Sequence, residues 1–157
     1  MSSTKLTLEA VRTANAAFLA KRSLVAVFPG GTSGIGEFTV RALAQHAAKG
    51  QGARIYLVGR NQKAADAIAA DYASHKNVQF RFVKADDLSL LKDVDRCCEE
   101  ITRLETQESE EGSPHIDLLV MSHADLYFGG KRRGGCNFIQ SNSALNSILT
   151  SICFRNQ

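Results

Sequence analysis

The stretch "FPGGTSGIGE" (residues 28–37) decides how the rest of the chain is read, because Gly30, Gly34 and Gly36 form the pattern G-x-x-x-G-x-G. Just before it runs "SLVAVF" (23–28), a short continuous apolar segment suited to a strand buried on both faces. Just after it, Val40, Leu43, Ala44 and Ala47 recur at helical spacing until Gly50 and Gly52 end the pattern. Glycines at a strand-to-helix junction permit a tight turn and remove Cβ atoms that would hold a pyrophosphate off the main chain. The first N–H groups of the helix then meet the anion at the positive end of the helix dipole. A competing phosphate loop, G-x-x-x-x-G-K-[ST], fits from Gly31 to Gly36 and then fails, since Glu37 and Phe38 stand where Lys and Ser/Thr are needed. An anionic Glu37 cannot hold the β- and γ-phosphates of ATP.

Working outward, residues 7–20 read as a helix with Leu8, Val11 and Phe18 near one face. "ARIYLVG" (53–59) reads as a second buried strand. Residues 61–75 read as a helix, with Ala65, Ile68, Ala69 and Tyr72 in an i, i+3, i+4, i+7 stripe. "VQFRFVKA" (78–85) is a third strand, and Leu90, Val94, Cys97, Ile101 and Leu104 make another helical stripe. "ETQESEEGSP" (105–114) is acidic and reads as a solvated helix end and loop, before "IDLLVMS" (116–122), a fourth buried strand. Alternation of continuous apolar strands with helices predicts an α/β fold, a parallel sheet with right-handed crossovers. All strand C-termini then share one edge, where ligands bind.

The chain has 157 residues, room for a single sizeable core, and its net charge of +3 is too small to argue for nucleic acid. Lys131-Arg132-Arg133 is short and flanked by glycines, a solvated loop. No apolar run approaches the ~20 residues of a membrane span. Glu9 and Asn15 interrupt the stretch where a signal peptide needs an apolar centre, so a cytoplasmic protein is expected. The four cysteines form no CxxC pair and the histidines show no ligand spacing, so no metal site is expected.

"GGTSGIG", "VGRNQ", "DLSLLKDV" and "IDLLVMSHADLYFGG" together resemble the short-chain dehydrogenase/reductase superfamily, most closely the fungal members of secondary-metabolite biosynthesis. The resemblance covers roughly residues 6–131 and implies a Rossmann-like sheet of strand order about 3-2-1-4, the N-terminal half of that fold. It implies that Gly30, Ser33, Gly34, Ile35 and Gly36 line a cofactor pyrophosphate, and that Asp87 and Leu88 lie where the family contacts adenine. Pro29 stands where Thr is common in the wider family. Arg60 follows the second strand where an acidic residue would accept from the ribose 2′-hydroxyl of NAD. Its guanidinium suits the 2′-phosphate of NADP instead, so NADP(H) is favoured over NAD(H). Ser122-His123-Ala124 replaces the family's Asn-x-Gly, and His123 reads as a loop histidine.

The family's chemistry needs a Tyr whose pKa is lowered by a nearby Lys, with a Ser to orient the carbonyl. Two Tyr-Lys pairs have the spacing. "YASHK" (72–76) sits on a helix that leaves the nucleotide edge at Asn61 and carries it ~20 Å away. Tyr72 therefore reads as a core residue and Lys76 as a cation at a helix end. In "YFGGK" (127–131) two glycines disfavour the helix that would align the pair. Tyr56 lies inside a strand without a lysine. No catalytic residue is assigned.

Beyond residue 131 the family pattern stops. The expected organisation is a partial dinucleotide-binding domain over 1–131 and an atypical tail over 132–157. In that tail Leu145, Ile148, Leu149, Ile152 and Cys153 could form one amphipathic helix. The expectation is a truncated member of a family that interconverts ketones and secondary alcohols with NADP(H), with little or no turnover of its own. The alternative is a non-catalytic dinucleotide-binding or interaction module. An uncovered fourth strand would leave self-association through that edge open.

Overall fold

A computed structural model of the chain describes residues 7–108 and 114–123. The elements are α1 (Leu8–Leu19), β1 (Leu24–Pro29), α2 (Gly34–Ala47), β2 (Ala53–Gly59), α3 (Gln62–Asp71), β3 (Val78–Lys84), α4 (Leu91–Glu108) and β4 (Leu118–Leu119). The four strands make one parallel sheet of order β3-β2-β1-β4, the order that the family resemblance implies. The register runs from Leu24 opposite Ala53 to Pro29 opposite Val58, and from Ala53 opposite Val78 to Gly59 opposite Lys84.

Every residue of β1 is buried, because helices cover both faces of the strand. Alternate side chains feed two cores. Leu24, Ala26 and Phe28 join Ile55 and Leu57 beneath Val40 and Ala44 of α2 and Ile68 of α3. Val25, Val27, Tyr56 and Val58 face the other way, onto Val94, Cys97 and Ile101 of α4.

Several elements differ from the sequence reading. In α1 only Leu19 is buried, while Leu8 and Phe18 are exposed, and the Arg22 guanidinium lies 4.9 Å from the centre of the Phe18 ring. Helix α3 ends at Asp71, not at residue 75. Tyr72 caps it with a non-helical backbone, and i to i−3 bonds from Tyr72, Ala73 and His75 tighten the chain into turns. Lys76 therefore lies beyond the helix. The fourth strand is a half-buried edge pair, not a fully buried run. Pro29 supplies part of the reason. The carbonyls of Val25, Val27 and Pro29 accept from the N–H groups of Asp117, Val120 and Ser122, at 2.9, 2.9 and 3.0 Å. A parallel ladder needs each such residue to donate in return, and Pro29 has no N–H to give.

The acidic stretch also departs from expectation, for Glu105 is 1% exposed. Its carboxylate accepts from Arg54 Nη2 at 2.7 Å, Arg54 Nε at 2.9 Å and the Tyr56 hydroxyl at 2.8 Å. Glu108 extends the network to Arg54 Nη1 at 3.3 Å and Arg81 Nε at 2.9 Å. Arg54 and Tyr56 share one face of β2, so α4 is tied to the sheet by charge as well as by packing.

Burial first, and then the Glu105 carboxylate, raise the Tyr56 phenol above its ordinary 10.0. The unfolded phenol ionises at that ordinary value and the folded one does not. The stability this contributes is complete below about pH 10 and is lost as pH rises toward the folded value. Thermal melts between pH 8 and 11.5 are therefore expected to fall more steeply for the wild type than for Tyr56→Phe; parallel slopes would contradict this account.

Candidate functional site

The sheet edge at the strand C-termini gathers the turns after β1, β2, β3 and β4. After β1 the chain reverses tightly: Gly30 N–H donates to Val58 O at 2.9 Å and Gly31 N–H to Phe28 O at 3.1 Å. Gly30 has φ +82° and Gly34 has φ +55°, conformations that side-chain-bearing residues adopt at a cost. Contact is tighter still at Gly36, where a Cβ would lie 2.2 Å from Ser122 Oγ and 2.3 Å from Gly30 O. A Cβ on Gly30 would lie 2.6 Å from His123 N. The turn is thus pressed bare against the end of β4, where Ser122 Oγ donates to Pro29 O at 3.3 Å. Gly31, which is not one of the three motif glycines, is buried against Phe28 and Leu57.

The start of α2 differs from the starts of α1 and α3. Thr7 Oγ1 accepts from Ala10 N–H and Asn61 Oδ1 from Ala64 N–H, both at 3.1 Å, closing those two helices. Ser33 at the head of α2 is extended and its side chain makes no capping bond. First-turn N–H groups have no intrahelical partner, so here they are available to an anion at the helix terminus. Ser33, Gly34 and Ile35 are exposed, while Gly36 is buried. Glu37, the one acidic group in this turn, is held by Arg41 Nε at 2.8 Å, and Arg41 Nη1 also reaches Asp71 at 2.6 Å. Its charge is thereby offset.

Arg60 is exposed directly after β2, one residue before the Asn61 cap that fixes the start of α3. Asp87 is exposed after β3; its Oδ1 accepts from Ser89 N–H at 2.9 Å and its own N–H donates to Asp93 Oδ2 at 2.9 Å. Leu88 is half-buried against the α4-side core. All eight residues singled out from the sequence therefore lie at one sheet edge, Gly34, Ile35 and Gly36 in the first turn of α2 and the others on the connections around it.

The tyrosines fall elsewhere. The Tyr72 hydroxyl donates to Arg41 O at 2.9 Å and the ring packs against the core, past the far end of α3. Tyr56 is buried mid-strand on Glu105. Tyr127, Lys131, Ala124 and the tail lie outside the described residues. Cys97 and Cys98 are buried, and burial pushes the Cys98 thiol up to about 12, so it is not a nucleophile. Among the described residues no helix is long and apolar enough to cross a membrane.

No protein-family model matches the chain. The short-chain dehydrogenase/reductase SAT2 of Stachybotrys chartarum is 37% identical over 128 residues, covering 80% of this chain and 36% of that protein. Oxidoreductase andH of Emericella variicolor is 40% identical over 100 residues, covering 63% of this chain and 26% of its own. The chain thus spans about a third or less of the length of these curated relatives. L-sorbose reductase from Gluconobacter frateurii, solved with NADPH and L-sorbose, shares the fold at TM-score 0.60 and 20% identity, over 85% of this chain and 49% of that one. Sequence kinship to fungal oxidoreductases and a shared parallel sheet lead to one conclusion: the chain belongs to the short-chain dehydrogenase/reductase family and covers the N-terminal half of its fold.

Proposed function

We propose that this chain binds a nicotinamide dinucleotide, NADP(H) in preference to NAD(H), as the dinucleotide half of an oxidoreductase acting between a ketone and a secondary alcohol in fungal secondary metabolism. One observation carries the reading. Gly30 and Gly36 press against the end of β4 beside an α2 terminus that its own Ser33 leaves uncapped. A pyrophosphate suits such a terminus, and any side chain at Gly36 would push the start of α2 away from the glycine turn. Gly30, Ser33, Gly34, Ile35 and Gly36 would hold the diphosphate, Arg60 the 2′-phosphate, and Asp87 and Leu88 the adenine side. The bound group would supply the hydride chemistry, while the chain's residues bind and orient it. The binding unit spans residues 1–131 and the tail 132–157.

The positions of Tyr56 and Tyr72 favour binding without turnover, since the Tyr56 hydroxyl is bound to Glu105 and the Tyr72 hydroxyl to Arg41 O, both away from this edge. Among the described residues β4 pairs only with β1, and association through that edge belongs to the same proposal.

Fluorescence titration of the purified chain tests this. Saturable binding is expected, tighter for NADPH than for NADH, without NADPH oxidation over a panel of ketones. Arg60→Ala is expected to weaken NADPH roughly ten- to hundredfold, as the loss of a charged hydrogen bond of about 1.5–3 kcal/mol implies, and to leave NADH unchanged. An equal effect on both nucleotides would remove Arg60 from this role. Folded protein that ignores both nucleotides at millimolar concentration would remove the reading itself.

A further inference from the structure

We propose that Arg41 is a positioning residue for the dinucleotide: it draws the Glu37 carboxylate along α2, away from the N–H groups that would meet the diphosphate. The inference rests on the dinucleotide reading above and adds to it a residue that touches no part of the ligand.

Glu37 is the acidic group in the first turn of α2, one residue past Gly36. The N–H groups of that turn attract any carboxylate within reach, and the helix's own is the nearest. A Glu37 side chain turned toward the terminus would compete with a phosphate for the same donors and repel it by charge. Arg41 lies one helical turn further on, and its Nε donates to Glu37 Oε1 at 2.8 Å. The carboxylate is thereby held toward the middle of the helix.

Arg41 is itself held. Its Nη1 donates to Asp71 Oδ2 at 2.6 Å, and its carbonyl accepts from the Tyr72 hydroxyl at 2.9 Å. Both partners come from the far end of α3, 30 and 31 residues along the chain. Asp71 is the last residue of α3, where a carboxylate opposes the helix dipole, and no basic residue in that last turn offsets it. Its charge therefore finds its partner on α2, not on its own helix. An isolated exposed pair fixes little, whereas a guanidinium shared by two carboxylates has a defined place. Tyr72, whose spacing to Lys76 imitates a catalytic pair, thus serves α2 instead.

Two variants break the same ion pair and are expected to act in opposite directions in fluorescence titrations of the full chain. Arg41→Ala frees the carboxylate and is expected to weaken NADPH and NADH alike by about three- to tenfold, the range over which one charge acts at a helix terminus. Glu37→Gln removes the charge and is expected to bind both nucleotides at least as tightly as the wild type. The double variant is expected to recover the affinity of Glu37→Gln. Weaker binding in both single variants would make the pair merely structural and overturn the proposal. So would a double variant as weak as Arg41→Ala, which would put Arg41 on the phosphate itself, or a loss confined to NADPH, which would put it at the 2′-phosphate beside Arg60. Wild-type affinity in Arg41→Ala would overturn the proposal and leave the dinucleotide reading standing, whereas wild-type protein that ignores both nucleotides would remove the two together. Glu37→Gln decides the matter if Arg41→Ala fails to fold, since weaker binding there is sufficient to overturn it.

Discussion

Gly36→Ala is expected to lower the melting temperature by roughly 3–10 °C and to weaken dinucleotide binding by at least tenfold. The added methyl would sit 2.3 Å from the Gly30 carbonyl and 2.2 Å from Ser122 Oγ. The hydroxyl can rotate away, but the carbonyl is main chain and cannot. Relief requires the first turn of α2 to back off from the glycine turn. Overpacking of this kind costs about 1–3 kcal/mol, and each kcal/mol is worth about 2–4 °C in a domain of this size. Binding suffers more than stability, because the shift moves the N–H groups that would meet the phosphate. Gly34→Ala is the informative contrast. No atom lies within 4 Å of a Cβ there, so its penalty comes only from φ +55°, about 1–2 kcal/mol. A calorimetric melt and an NADPH titration of both variants separate the two mechanisms. Gly36→Ala with the wild-type melt and affinity would disprove the close approach.

The second large effect is expected from Glu105→Ala, a loss of about 3–5 kcal/mol in urea unfolding. The carboxylate is buried and receives three hydrogen bonds from Arg54 and Tyr56. Without it the guanidinium keeps only the longer contact to Glu108, and the phenol keeps no carboxylate. The cost comes from stranded polar groups, not from the worth of the pair. Removing the partners together tests that distinction. The triple change Arg54→Met, Tyr56→Phe and Glu105→Leu is expected to recover more than half of the loss, since a well-packed apolar replacement often matches a buried ion pair. A deficit in the triple variant as deep as in Glu105→Ala would mean that pairing itself is the larger contribution. Set against a typical stability of about 5–15 kcal/mol, this loss removes a large share of the margin that keeps the domain folded.

The strands could be read from the sequence because a parallel sheet covered on both faces writes continuous apolar runs, whereas their order followed from the family resemblance. "ARIYLVG" matches β2 residue for residue. The glycine turn was legible for the same reason, since its spacing falls between a buried strand and an amphipathic helix. What stayed hidden depends on contacts between distant segments. Glu105 lies in an acidic run that looks solvated, and its burial follows from Arg54 and Tyr56, 51 and 49 residues earlier. A signal did exist: an arginine and a tyrosine two apart in a buried strand, sharing one face, require an acceptor from the covering helix. The premature end of α3 at Asp71 is of another kind, because "DYASHK" holds no Gly or Pro to mark the stop, and Tyr72 leaves the helical backbone where its hydroxyl meets Arg41 O. The uncapped start of α2 was likewise invisible, for Ser33 is a residue type that ordinarily caps.

Pro29 has a consequence for how this domain breathes. The seam between β1 and β4 is stitched from one side at its upper end, where Ser122 gives and the imino acid cannot give back. Among the described residues, the tip of β4 is therefore held to Pro29 through that one carbonyl alone. That tip carries Ser122 and His123, the rear wall on which Gly30 and Gly36 lean. A displacement of that wall would therefore be felt at once by the turn that leans on it.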